Sequence, residues 1–354
     1  MALINTSVFS FSAEEIRDIN ELILEEILQA PELSVLHTIY PGVVTNKYIG
    51  FLGEGDIVGL PAQGCDPTPQ QWKIEGEQKL WEPKRWEVFL TECWADLEST
   101  MAIYAMNKGV DIGDLSNTDY MAVVVDILSK AIKKMIWRFC WFGDKDAANY
   151  NGSPAGIITD SVNTDYFQLI DGFWKQLQAV APSGSKQRVT IGANAAATQD
   201  LQYSTLTGQM AYETLSKLHL AAPVVLRSQP DLMFACTQSM VDGYMQYLEG
   251  KDIECTYVNL TEGVKALNFR GIPVVAFPIW DEMIQSYENN GASLNNPHRA
   301  VLTTKSNLAI GVAENSVLDE IKVWYEPKED RCYMRSRDSI DAKVLQEKMF
   351  TIAI

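Results

Sequence analysis

The sequence predicts an α+β fold, and three observations carry that reading. The stretch 117–142 repeats apolar residues at helical spacing. The stretch 47–92 reads as β-structure interrupted by a Pro/Gly-rich tip. From residue 164 onward, short helical and strand-like segments alternate, and the chain closes on a charged hairpin.

Taken in order, the first element is a helix over 13–29. Ser12 and Glu15 form a capping box, and Ile16, Ile19, Leu22, Ile23, Ile27 and Leu28 follow at helical spacing before Pro31. Between 47 and 92, "KYIGFL", "DIVGL", "WKIEG", "KLWEP" and "RWEVFL" are strand-like. They flank the tip "LPAQGCDPTPQQ", an excursion with little to form its own core. Trp72 and Trp81 in this excursion have two readings: burial against a partner, or local packing. A helix over 93–107 comes next.

The helix over 117–142 is the clearest element. Ser116 and Asp119 form its capping box, and Met121, Val124, Val125, Leu128, Ala131, Ile132, Met135, Ile136 and Phe139 trace one face. Lys130, Lys133, Lys134 and Arg138 lie on or beside the other face and suit the helix C-terminus. At 1.5 Å per residue it is about 39 Å long, enough for the spine of a domain. Gly143 stops it. Helices are expected at 164–181, 207–221 and 237–250. Strands are expected at 188–192, in "DLMFAC", "CTYVNL", "GIPVVAFP", "RAVLTT" and "LAIGVAE", and in the closing segments "EIKVWYE", "RCYMRSRD" and "MFTIAI".

Composition narrows the function. The chain has 354 residues and a net charge of −17, with no Lys/Arg-rich run to grip phosphates. An acidic surface suits a soluble particle that must not cling to nucleic acid, and simple solubility explains it equally well. The longest apolar run, "MAVVVDIL", is broken by Asp126, so no membrane span is expected. The N-terminus lacks the basic segment of a secretory signal. The six cysteines form no C-x-x-C pair, and His37, His219 and His298 stand far apart. Reduced thiols, several of them buried, and a reducing compartment are expected, with no metal or cofactor.

The common catalytic motifs are absent: no G-x-S-x-G, no P-loop, no H-E-x-x-H and no G-x-G-x-x-G. "DKDAANYNG" (144–152) fails the EF-hand pattern, with Ala148 at its fifth position and no Gly at the sixth. Asp281 and Glu282 in "IWDEM" read as residues of a helix N-terminal turn or as carboxylates on opposite faces of a strand. His298 reads as a loop histidine. An enzyme using Asp281, Glu282 and His298 is the remaining catalytic alternative, and it requires one pocket holding all three.

The order of these features resembles the major capsid proteins of tailed bacteriophages, which have the Hong Kong 97 fold. The resemblance covers nearly the whole chain. Its marks are the spine-helix exit "CWFGDKDAANYNGSPAGII", the strand–helix unit "PDLMFACTQSMVDGYMQYL" leading to "RGIPVV", and the strand "RAVLTTKSNLAIGV" before a charged hairpin. The stretch from Trp81 to Cys93 is similar to the crAss-like phage group. The resemblance implies an N-terminal arm (1–45), an extended β-loop (46–82) and a peripheral domain (83–221). That domain holds the spine helix 117–142 and an insertion at 163–206. It further implies an axial domain (222–320) and C-terminal strands (321–354) returning to the peripheral domain.

The function implied is a non-enzymatic shell subunit that forms hexamers and pentamers. The shell would enclose double-stranded DNA without reading its sequence, in a virion assembled in the bacterial cytoplasm. Portal, scaffolding, and decoration or head-fibre proteins are the implied partners. A cellular encapsulin-like nanocompartment is the alternative on the same fold. Candidate contact residues between subunits are Tyr40, Asp66, Pro67, Trp72, Lys73, Trp81, Lys251, Asp252, Asn290 and Asn295. The loops 247–256 and 285–297 are expected at the capsomer centre. Lys47, Lys73 and Lys79 stand in or near the extended loop, but with no activating acid apparent no covalent crosslink is expected.

Overall fold

The computed structural model describes residues 31–55, 74–93, 119–251, 257–259, 265–313, 322–326, 328–329 and 331–354. The helix expected over 13–29, the tip 60–71, nearly all of the helix expected over 93–107, and Asp66, Pro67, Trp72, Lys73 and Asp252 lie outside them. In chain order the elements begin with β1 (Thr38–Tyr40), β2 (Lys47–Gly55), β3 (Ile74–Trp81), β4 (Lys84–Cys93) and the spine helix α1 (Asp119–Phe142). Next come α2 (Phe173–Val180), β5 (Arg188–Val189), α3 (Gln199–Thr205), α4 (Gly208–Ala221), α5 (Val224–Arg227), β6 (Leu232–Cys236) and α6 (Gln238–Glu249). β7 (Tyr257–Asn259), β8 (Lys265–Phe269), β9 (Ile272–Ala276), α7 (Pro278–Tyr287) and β10 (Ala300–Thr304) follow. β11 (Leu308–Val312), β12 (Lys322–Glu326), β13 (Arg331–Val344) and β14 (Phe350–Ala353) end the chain.

A seven-stranded sheet, ordered β5-β14-β10-β6-β9-β8-β7, separates two hydrophobic cores. Alternate residues of its strands point to opposite faces. Met233, Ala235, Val301, Phe350 and Ile352 pack with residues of α1 and α2. Leu232, Phe234, Cys236, Ala300, Leu302 and Ala353 pack with residues of α4 and α6. A sheet covered on both faces needs buried residues at both parities, so β6 reads as an unbroken apolar run, and β10 and β14 are buried throughout with only threonines among their apolar residues.

A second, five-stranded sheet runs β1-β11-β13-β12, with β4 also on β13. β13 is 14 residues long. It pairs with β4 from Arg331↔Cys93 to Ile340↔Lys84 and with β11 from Ile340 to Val344. β2 and β3 form a separate antiparallel ribbon, from Lys47↔Trp81 to Gly55↔Ile74, with a register shift near its far end.

The spine helix enters the core at its C-terminal end. Leu128, Ile132, Ile136, Trp137 and every residue from Phe139 to Gly143 are buried, whereas Ala131, expected on the core face, is exposed. The basic residues do not cap this end, and none stands in the last turn. Lys133 pairs with Glu32 at 2.8 Å and Lys134 with Glu282 at 2.6 Å. Arg138 donates to the Tyr166 carbonyl and lies over the Phe139, Tyr166 and Phe167 rings.

Beyond the helix, two backbones meet at glycines. A Cβ at Gly143 would lie 2.5 Å from the Ile170 and Phe139 carbonyl oxygens, and one at Gly172 would lie 2.8 Å from the Gly143 nitrogen. Gly172 N donates to Gly143 O at 2.8 Å, tying α2 to the end of α1. Within the intervening loop a Cβ at Gly156 would lie 2.0 Å from the Ala148 carbonyl oxygen.

Several expectations change. The helix expected over 164–181 is a 3₁₀ turn at Thr164–Tyr166 and, separately, α2, because the chain between them returns to Gly143. The strand expected at 188–192 is only the two residues of β5. β9 ends at Ala276, and α7 begins with Pro278 at its first position, where proline's missing N–H costs nothing. Two strands also pair in ways that the order of segments did not indicate. β11, placed with the axial segment, pairs with β13 in the smaller sheet. β14, placed with the peripheral domain, lies beside β10 in the larger one, where all four of its residues are buried.

Candidate assembly surfaces

The β2–β3 ribbon is anchored at its base. Trp81 is only 3% exposed, so of its two readings local packing holds. Its ring packs with Val43, Ala309 and Leu345 and lies 6.0 Å from the ring of Tyr40, which is half-buried on β1. A Cβ at Gly311 would fall 3.0 Å from the Trp81 ring, so the small residue there makes room for it. Lys79 pairs with Glu347 at 2.5 Å, and Lys47 donates to the Gly42 carbonyl at 3.0 Å.

The loop 285–297 is held from below. Arg299 and Glu288 form a buried ion pair, their side chains 2% and 5% exposed. Arg299 also donates to the carbonyls of Asn296 and Asn295 at 2.8 and 2.7 Å and stands over the Phe142 and Trp174 rings. Such satisfaction is what a buried charge requires. Asn295 spends its side-chain amide on Glu288 at 3.0 Å. Asn290 is exposed and shapes the turn, its Oδ1 accepting from Ala292 N and Ser293 N. Lys251 is exposed with its ammonium 5.9 Å from the Tyr247 ring. The structure thus brings Tyr40 and Trp81 together and leaves Lys251, Asn290 and Asn295 on other loops.

The catalytic alternative fares differently. Asp281 and Glu282 stand in the first turns of α7 and line a groove of about 770 Å³ with Gln238, Asp242, Tyr203 and Leu206. Burial pushes the Asp281 carboxyl up to about 6, against the hydrogen bond it accepts from Gln238 N at 2.8 Å. Glu282 is paired with Lys134. His298 is no loop-surface residue: it is fully buried, because its ring fills the space between α3 and α6. Nε2 donates to the Gln202 carbonyl at 3.0 Å, so Nδ1 accepts from Ser239 Oγ at 2.8 Å. Burial lowers the His298 pKa. A carbonyl behind the imidazole cannot balance the positive charge that a general base acquires, as a carboxylate does. The pair therefore reads as packing polarity.

In the loop 144–152, Asp144, Asp146 and the neighbouring Asp171 all face Lys175, which lies 2.8 Å from Asp146 and 2.9 Å from Asp171. Burial opposes the charged ammonium, but hydrogen bonds to the three carboxylates outweigh it and raise the Lys175 pKa. Among the described residues no group of three or more His, Cys, Asp or Glu is arranged to hold a metal ion. Among them, too, no helix is long and apolar enough to cross a membrane. Cys140 and Cys236 are buried free thiols, their pKa values raised by burial.

Sequence reasoning missed the buried aromatic cluster behind these surfaces. Trp141 and Trp280 rings lie 4.4 Å apart, Trp174 and Trp280 5.0 Å, and Trp141 and Phe173 5.0 Å. His37 stacks on Phe173 at 5.3 Å, donates from Nδ1 to the Leu33 carbonyl, and accepts from Trp141 Nε1 at 2.9 Å. The spacing Trp137–Trp141 at i,i+4 was the available signal, but it lay off the face traced by the aliphatic residues.

No protein-family model and no curated protein matches the sequence. Solved structures do. The capsid of Myoviridae phage XM1 superposes with a TM-score of 0.55 at 10% identity, over 97% of this chain and 98% of that one. The capsid of the native GTA particle gives 0.50 at 11% identity, over 99% of both chains. The satellite phage P4 procapsid gives 0.50 at 12% identity, over 91% and 94%. Matched over nearly its whole length by these capsid structures, the chain has the Hong Kong 97-type capsid fold.

Proposed function

We propose that this chain is the major capsid protein of a tailed phage, a structural subunit whose copies assemble into hexamers and pentamers that close an icosahedral shell. The observation that carries this reading is the end-to-end likeness to the XM1 capsid, 97% of one chain against 98% of the other, with no large domain left over. The ribbon β2–β3 supports it, being a two-stranded element off both sheets, because an isolated pair of strands is marginal without a neighbour. The net charge of −17 supports a wall that encloses DNA without binding it tightly. The virion is then its location, and portal, scaffolding and decoration or head-fibre proteins its partners. Placement near the crAss-like group rests on the stretch from Trp81 to Cys93 alone.

The test is sedimentation velocity of the recombinant full-length chain, alone and co-expressed with the structural genes that neighbour it. Five- or sixfold species, or shells, are expected. A chain that stays monomeric under every condition contradicts the reading. Shells that copurify with an enzyme cargo in place of DNA identify a nanocompartment.

A further inference from the structure

Two surfaces at opposite ends of α4 complement one another. At its C-terminal end, Leu220, Val224 and Val225 are 65%, 72% and 55% exposed, an apolar knob built by the short helix α5. Exposed apolar side chains grouped on one short stretch of chain form a patch of the kind that marks contact sites. Basic groups surround the knob. Arg270 reaches Ser216 and lies 3.5 Å from His219, and the positive charges of Arg270 and Arg227, after partial burial, hold the His219 pKa down. This basic collar is unusual in a chain with 46 acidic and 29 basic residues.

At the N-terminal end of α4 lies the groove described above. Gly208, the first residue of α4, packs so closely on α6 that a Cβ there would lie 2.8 Å from Tyr247 N. The groove is lined by Asp242, Asp281 and Glu282 with Leu206 and Pro278; among the described residues no basic residue lines it, and Lys134 pairs with Glu282 from beside it. Fourteen residues of helix separate the two ends, about 21 Å at 1.5 Å per residue.

We infer that the Val224–Val225 knob of one copy seats in the α6–α7 groove of the next, with Arg227 facing Asp242, so that copies join head to tail. The occupant is a second copy because the knob is apolar with a basic collar and the groove is acidic with an apolar floor. Unless two copies exchange knob and groove reciprocally across a twofold axis, a contact between two different surfaces of one chain propagates into a ring or a filament. The inference rests on the proposed capsid function and names the surfaces that would close its rings.

The experiment uses the full chain under the conditions where the wild type forms rings, with two variants. Val224→Ser/Val225→Ser spoils only the knob, and Asp242→Arg spoils only the groove. All these residues are exposed, and circular dichroism and Tm check the fold. Each variant alone is expected to need at least tenfold more protein to assemble. Mixed one to one, the intact knob of one variant meets the intact groove of the other, and native mass spectrometry should show a heterodimer that does not grow. Arg227→Asp combined with Asp242→Arg in one chain should restore rings. If either single-surface variant assembles like the wild type, or the mixture gives no heterodimer, the inference is overturned while the capsid reading stands. If the wild type itself never assembles, the capsid reading falls and this inference with it.

Discussion

Single residues set the pH behaviour of the fold. His37 is buried as a neutral imidazole, and burial drives its pKa down from 6.5 to about 3. Between those values the unfolded chain holds the extra proton, so stability falls as pH drops below 6.5. The loss from this residue is about 2 kcal/mol at pH 5 relative to neutral pH. Urea unfolding at pH 7.5 and pH 5 should show that loss in the wild type and a smaller one in His37→Gln; equal losses would refute the assignment. Asp281 has the opposite sign. Its folded pKa, raised from 3.8 to about 6, means the folded chain holds the extra proton, and stability falls as pH rises through that window. Asp281→Asn keeps an acceptor for Gln238 N and should gain about 2–3 kcal/mol at pH 7 and almost nothing at pH 3.5. A gain at neither pH would contradict the burial argument. Neither behaviour was legible in the sequence. His37 and Trp141 are 104 residues apart when they bond, and Asp281 was read from neighbours on its own segment alone.

Among the elements, the spine helix was the most legible and its environment the least. Within the described residues it runs Asp119–Phe142 and ends where the expected helix 117–142 ends, because a 3.6-residue repeat is local information. Trp137 and Trp141 are buried because α2 and α7 close over the end of the helix, and that closure is tertiary. The stretch "FRGIPVVAFPIWDEM" divides accordingly. Val274 and Val275 take opposite faces of the sheet, Phe277 and Trp280 join the aromatic cluster, and Asp281 faces the groove. Trp280→Ala should cost about 3–5 kcal/mol in chemical unfolding, the range for a large buried aromatic. The glycines after the helix are a sharper test of backbone packing. Gly156→Ala, with only backbone atoms to yield, should cost more than about 2 kcal/mol. A loss under 0.5 kcal/mol would mean that the loop relaxes freely.

At the scale of the whole molecule, the order of segments was legible and the assignment of strands to sheets was not. β11 and β14 are short, mostly apolar segments of similar appearance, and only pairing places one in the smaller sheet and the other beside β10. The contact surfaces were the least legible. Trp81 proved to be internal, whereas the exposed Val224 and Val225 gave no sign, because in Val-Val-Leu-Arg the two exposed valines look the same as the buried Leu226 beside them. The central claim is that this chain builds a closed shell. Negative-stain electron microscopy of the purified full-length protein, expressed with its neighbouring structural genes, tests it most directly. The account predicts isometric particles, or rings with five- and sixfold symmetry. Fields of isolated monomers at high concentration, with no larger species, would contradict it.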